Sequence, residues 1–348
     1  MYRFASFLML VWFMAASPAM AQPLPDYSLA ELEAAIAAGK LDRIAALAAE
    51  QHGETVYAKR FDGEAAGTPI DIRSAGKSLT ALAVGAAIAD GALAGVDVAV
   101  WPYLGHPRGE PWDSITVADL LGMSSALDCN DWDRKSPGQE ERMYRTRVWR
   151  DFALALPARD YVRDQRGEGT FSYCTAGVFL LGQVVERATS ERFDAYVQRR
   201  LFDPLEIDGV AWRHSRSGEI QSGGQLTIGS DALLKIGRMV LDGGRWKGEQ
   251  LLPKSWIDTM LSPRHQLGEH VYYGHLWWAT PIRSPRGYEG AWMMKGNGGN
   301  LVAILRDYDA VLVVQAENYN RKDADRHAFT ALAALLASLE PPAAPTAR

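Results

Sequence analysis

Ser74 and Lys77 stand three positions apart in "DIRSAGKSLT", residues 71–80. At that spacing two side chains share one helix face, so a hydroxyl and an amine can meet. A serine at a helix start sits at the positive end of the macrodipole, where a developing oxyanion is stabilised. A lysine held among small apolar neighbours loses hydration, which lowers its pKa and frees the amine to take a proton. Such a pair suits nucleophilic attack on a carbonyl. The same stretch also contains Gly76-Lys77-Ser78, the tail of a phosphate-binding loop. That motif demands glycine at position 71, where the chain has Asp71 and so a negative charge in place of a phosphate cradle. Pro69-Ile70-Asp71-Ile72 also lacks the pliable backbone a phosphate loop needs. Acyl transfer is the reading that survives.

Two distant stretches supply partners for the pair. "TFSYCTAGVFLLG" puts Tyr173 just before an apolar helix, and "MKGNGGNLVAIL" puts a glycine-rich run at the start of a strand. With lesser matches in "LLGMSSALDC", "FDPLEI", "SGGQL", "YGHLWW" and "LDGGRW", the chain resembles the serine β-lactamase and penicillin-binding-protein superfamily from about Glu54 to Asn320. The resemblance is strongest to its esterase, class C β-lactamase-like and aminohexanoate-oligomer hydrolase branches. It implies an α/β (α+β) fold: an antiparallel sheet flanked by helices, with an inserted all-helical subdomain and the cleft between them. It also implies Ser74 as nucleophile and Lys77 as its proton acceptor. Tyr173 shares the base role, since a phenol of pKa about 10 becomes a base only beside a cation. The third motif falls at Asn297-Gly298-Gly299, with the N–H groups of Asn300 and Ser74 forming the oxyanion hole.

Two positions depart from the family pattern. Thr175 stands where the tyrosine motif has asparagine, and Asn297 stands where the third motif has lysine or histidine. The missing cation argues against efficient β-lactam turnover and for neutral esters or amides. Lys295, on the same strand face as Asn297, is a candidate to restore the charge. The alternatives are a D-amino-acid peptidase or β-lactamase acting on cell-wall peptides or penicillins, and a penicillin-binding or sensing module without turnover. No metal or organic cofactor is implied, and the partner is a small ester, amide or peptide.

The elements that must position these residues follow from periodicity. Residues 28–50 read as two short helices, "SLAELEAAIAAG" and "LDRIAALAAEQ", parted by Gly39. "ETVYAKRFDG" reads as a strand. A helix runs from about Ser74 to Asp90 and stops at Gly91; it is small and apolar all round, the mark of a buried helix. Residues 117–260 are mostly helical with loops, including a helix capped by Ser230. "VYYGHLWWA", "GNLVAILRD" and "AVLVVQAEN" read as strands, and a last helix spans about Lys322 to Leu339. On the first of these strands His275 is expected to be a packed histidine. Trp277 and Trp278 point to opposite faces there, so at most one meets substrate. The domain then divides into an α/β part, about 22–100 and 265–340, and a helical part, about 101–264.

Residues 1–21 have the basic start, apolar run and Ala19-Met20-Ala21 ending of a cleaved leader, which predicts export to the periplasm or medium. The apolar run is short of the roughly 20 residues that span a bilayer, so no stable membrane anchor is expected. Cleavage leaves 327 of the 348 residues and takes the net charge from −5 to −6. Without a basic block, nucleic acid is excluded as a partner. Residues 341–348 read as a disordered tail. Cys129 and Cys174, the only cysteines, are expected to bridge in an exported chain. Ser124, in a near miss for a nucleophile elbow, is expected in a loop over the site. Asp128, Asn130, Asp131 and Asp133 fail the calcium-loop spacing and read as a solvated acidic loop.

Overall fold

The computed structural model describes residues 26–105 and 107–342. The expected leader lies outside the described residues, as does the expected tail from residue 343 onward. Eight strands make one sheet: β1 (Ile44–Gln51), β2 (Glu54–Arg60), β3 (His265–Gly268), β4 (Val271–Tyr273), β5 (Trp278–Ser284), β6 (Gly287–Gly296), β7 (Asn300–Leu305) and β8 (Ala310–Ala316). Their spatial order is β2-β1-β8-β7-β6-β5-β4-β3, antiparallel throughout. Leu47 of β1 faces Val314 of β8 in the ladder, so strands from the two ends of the chain pair one strand in from the β2 edge of the sheet.

Five longer helices accompany it: α1 (Leu29–Ala37), α2 (Lys77–Ala89), α3 (Thr175–Thr189), α4 (Ser230–Leu241) and α5 (Ala324–Ala337). α1 and α5 close one face over a core that includes Leu32, Leu47, Met293, Leu312 and Leu332. The other face packs on α4 and continues into the α2–α3 block through Leu79, Phe179, Val302 and Val313. This is the arrangement of an antiparallel sheet flanked by helices that the resemblance implies. Although α4 lies within the span expected to be helical subdomain, it packs on the sheet itself. That span also holds short strands, Ala211–Trp212 and Leu226–Ile228 among them, so it is not all-helical.

"LDRIAALAAEQ" is the clearest correction, because its residues 44–51 form β1 rather than a helix. All eight are buried, and residues 46–51 are paired on both sides, with β2 and with β8. Alanine favours helices in isolation, but here Ala45, Ala46, Ala48 and Ala49 let helices approach both sheet faces. Tertiary pairing outweighs a local propensity of a few tenths of a kcal/mol per residue. A second correction concerns "VYYGHLWWA", which is broken: β4 ends at Tyr273, β5 begins at Trp278, and Leu276 between them has φ +61°. His275 is therefore a buried loop residue, stacked on Trp256, not a strand residue. Of β6, the sequence reading puts only Lys295 on a strand; glycines mask the alternation of the rest.

α2 is buried on every side from Lys77 to Ala87, as its composition requires. A Cβ on Gly85 would lie 2.1 Å from Trp256 Nε1, so the neighbouring helix sits against bare backbone. Its polar residues are satisfied internally, with the Ser78 hydroxyl donating to Leu276 O at 2.7 Å. α2 is preceded by a 3₁₀ turn, Arg73–Gly76, which holds Ser74. Gly229, not Ser230, caps α4, and no side-chain bond closes that end.

Candidate active site

Ser74 is presented by a constrained turn. Arg73 before it has φ +52°, a left-handed conformation costly for a residue with a Cβ. The turn is held by Arg73 N–H donating to Asp71 Oδ1 at 2.8 Å and by Gln225 N–H donating to Arg73 O at 3.0 Å. The Arg73 guanidinium stacks on Tyr319, 4.2 Å from the ring centroid. Ser74 opens into a cavity of about 380 Å³. A larger cavity of about 950 Å³, against β5 and β6 around Tyr272 and Trp292, is lined by neither Ser74, Lys77 nor Tyr173.

Lys77, one turn on, is only 1% exposed. Its Nζ lies 3.0 Å from Ser74 Oγ and donates to Gly223 O at 2.7 Å. Burial lowers its pKa below the ordinary lysine value, with the charges of Glu140 and Asp131 opposing the shift. Tyr173 is buried immediately before α3, and Lys77 Nζ stands 5.1 Å from its ring centroid. Burial pushes the phenol well above its usual value; a hydrogen bond with Ser74 works the other way, and Asp131 and Glu140 add to the rise. Both shifts favour a neutral amine and a protonated phenol at rest. One serine thus has a base and an acid within reach.

The glycine-rich run, expected at the start of a strand, forms a turn. Gly298 and Gly299, both with φ +92°, form the turn between β6 and β7. Asn297 lines the cavity, where its side chain bonds Asn320, while Asn300 is buried on β7 opposite Gly296. The Asn300 side chain donates to Asn297 O and Ala316 O, both at 3.0 Å. Gly296 is the backbone that meets the serine turn. A Cβ there would stand 2.0 Å from Ile72 O and 2.9 Å from Ala75 N. Lys295 lines the cavity, where it is paired with Asp325 at 2.8 Å.

Ser124 is 1% exposed and absent from the cavity lining, so it is a buried residue and not part of a loop over the site. Thr175 is likewise fully buried; its N–H donates to Asp131 Oδ2 at 2.7 Å. Cys129 and Cys174 are bridged, which ties the Asp131 loop to Tyr173. Of the two tryptophans, Trp278 lines the cavity and Trp277 is fully buried.

With a serine, a buried lysine and a tyrosine gathered on this fold, the family comparison is decisive: the β-lactamase profile matches residues 34–336. The chain belongs to the β-lactamase family. This β-lactamase-family serine hydrolase is 28% identical over 228 residues to 6-aminohexanoate-dimer hydrolase of Paenarthrobacter ureafaciens. That alignment covers 60% of this chain and 57% of the relative, so little more than half of the relative's length is matched. The fold is similar to the octameric penicillin-binding protein homologue from Pyrococcus abyssi, with TM-score 0.66, 19% identity and coverage of 89% and 78% of the two chains. It is also similar to D-stereospecific amidohydrolase from Streptomyces sp., with TM-score 0.63, 20% identity and coverage of 84% and 94%.

Sequence reasoning missed one wall of the cavity. Asp131, read as part of a solvated loop, turns its carboxylate inward and accepts N–H groups of Thr175 and Glu140 at 2.7 and 2.9 Å. Burial and the neighbouring Glu140 push its pKa up to about 6, with Lys77 opposing. Glu140 lines the same wall, as does Trp132, whose ring stacks on Tyr173 at 5.2 Å. The available signal was the cysteine pair. Asp131 follows Cys129 by two positions, and the bridge to Cys174 brings it to Tyr173. Among the described residues, no three His, Cys, Asp or Glu side chains converge to hold a metal ion.

Proposed function

We propose that the protein hydrolyses esters or amides through an acyl-enzyme on Ser74. Lys77 as neutral amine takes the hydroxyl proton while Ser74 Oγ attacks the carbonyl carbon. The oxyanion is received by the backbone N–H groups of Ser74 and Asn297; Asn297 replaces Asn300 because Gly296 is the residue that abuts the serine turn. Such a donor typically contributes about a hundred- to thousandfold in rate. As the tetrahedral intermediate collapses, the Tyr173 phenol protonates the leaving group and is reprotonated by Lys77. Water then attacks the acyl carbonyl, gives up its proton by the same route, and releases the acid and Ser74.

The observation carrying this reading is the 3.0 Å approach of a fully buried Lys77 amine to Ser74 Oγ. A relative named for hydrolysing a dimer of an amino acid supports amides among the bonds cleaved. The Cys129–Cys174 bridge and the apolar leader support an exported enzyme, and no helix among the described residues is long and apolar enough to cross a membrane. The test is turnover of p-nitrophenyl esters by purified protein, with fluorophosphonate labelling mapped to a peptide. Ser74→Ala is expected to lose labelling and at least a thousandfold in kcat/KM. Tyr173→Phe is expected to lose at least a hundredfold while remaining folded. Wild-type rates in either variant would refute the mechanism.

A further inference from the structure

The charge of the cavity beside Ser74 says more about its substrate. Asp131 and Glu140 form one wall. Their hydrogen-bond partners are backbone N–H groups, donated by Thr175 and Glu140 to Asp131, and the Tyr144 hydroxyl, donated to Glu140 at 2.9 Å. None of these carries a positive charge. Elsewhere in the lining, Lys295 is already paired with Asp325. Lys77 lies beneath, where burial disfavours its charge. The cavity lining therefore has two carboxylates in excess of its cations, close enough to a bound group to act at short range.

The wall is also aromatic. Trp132 is 64% exposed and lies parallel to Tyr173, with the rings 6° apart, and Trp278 is 6.1 Å from the same tyrosine. Ring faces beside carboxylates suit an organic ammonium, which gains from both the ring quadrupole and the anionic charge. A substrate carboxylate in this place would meet two like charges. Asp131 is also tied to the catalytic group, since its N–H donates to Tyr173 O at 2.8 Å. An ammonium held there is close to the reacting carbonyl.

We propose that the cleft selects amides or esters bearing a positively charged amino group, received by Asp131, Glu140 and the face of Trp132, and rejects counterparts bearing a carboxylate there. The inference rests on the Ser74 reading and names its substrate class. It is tested with p-nitroanilides of α-, β- and longer ω-amino acids. Each is compared as the free ammonium, as the neutral N-acetyl form, and as the dicarboxylic monoanilide of equal length. For at least one chain length, kcat/KM is expected to exceed that of the acetylated form at least tenfold, with the carboxylate form slowest. In Glu140→Gln and Asp131→Asn the ammonium-to-acetyl ratio is expected to fall to about threefold or less; because the ratio is taken within each variant, a general loss of activity cancels.

A wild-type ratio near one at every length, or a ratio unchanged in both variants, would overturn the proposal. Ser74-dependent turnover of neutral p-nitrophenyl butyrate in that case would leave the hydrolase reading intact. If no anilide is cleaved, protection of Ser74 from a neutral fluorophosphonate is read instead. Hexylamine is expected to protect at concentrations at least tenfold lower than hexanol or hexanoate, and equal protection would count against the proposal.

Discussion

At the scale of single residues, the site depends on the protonation of one buried lysine. Lys77 loses hydration in α2, and the anions Asp131 and Glu140 recover part of its preference for charge. In the proposed mechanism the amine is the productive form, so kcat/KM on a neutral ester is expected to rise with pH through a group titrating below the ordinary lysine value. Removing an anion that favours the ammonium must move that rise to lower pH. Asp131→Asn is therefore expected to shift the rising limb downward by about half a unit or more, measured in a full pH profile of kcat/KM. An upward shift would show that Asp131 does not act on Lys77 through its charge. Ser74 and Lys77 were legible in the sequence because i,i+3 spacing is a local property. Asp131 was not, since nothing local tells an inward carboxylate from a solvated one.

At the scale of elements, the site is assembled where the end of β6 presses on the 3₁₀ turn before α2. Gly296 is required by space rather than by backbone angle, because a Cβ there would collide with Ile72 O and Ala75 N. Both are main-chain atoms and cannot rotate away. Gly296→Ala is expected to lower kcat/KM at least a hundredfold and to lower the melting temperature by several degrees. A variant matching the wild type in both would show that the strand and the turn can part freely. Helices α2 and α3 were legible from their apolar composition, and the terminal hairpin β7–β8 from its run of valines and leucines. β1 was not. Its alanines read as helix, and only pairing with both β2 and β8 makes the extended form the better one.

At the scale of the whole molecule, the Cys129–Cys174 bridge joins residues 45 positions apart and closes the loop that carries the acidic wall. In the chain-entropy picture, such a loop contributes about 4 kcal/mol by restricting the unfolded chain. Cys129→Ser with Cys174→Ser, or reduction of the wild type, is expected to lower the melting temperature by several degrees. Equal melting curves with and without reductant would rule that contribution out. The sequence by itself determined the family resemblance, the pairing of Ser74 with Lys77 on one turn, and the nearness of Tyr173 to a helix start. These follow from short-range spacing and from motifs in fixed order. Only the tertiary structure decided that Asn297-Gly298-Gly299 is a turn, that Ser124 is buried outside the cavity, and that Asp131, Glu140 and Trp132 line the cavity with the serine. The direction of a loop side chain is set by whatever packs over it, and those neighbours come from distant parts of the chain.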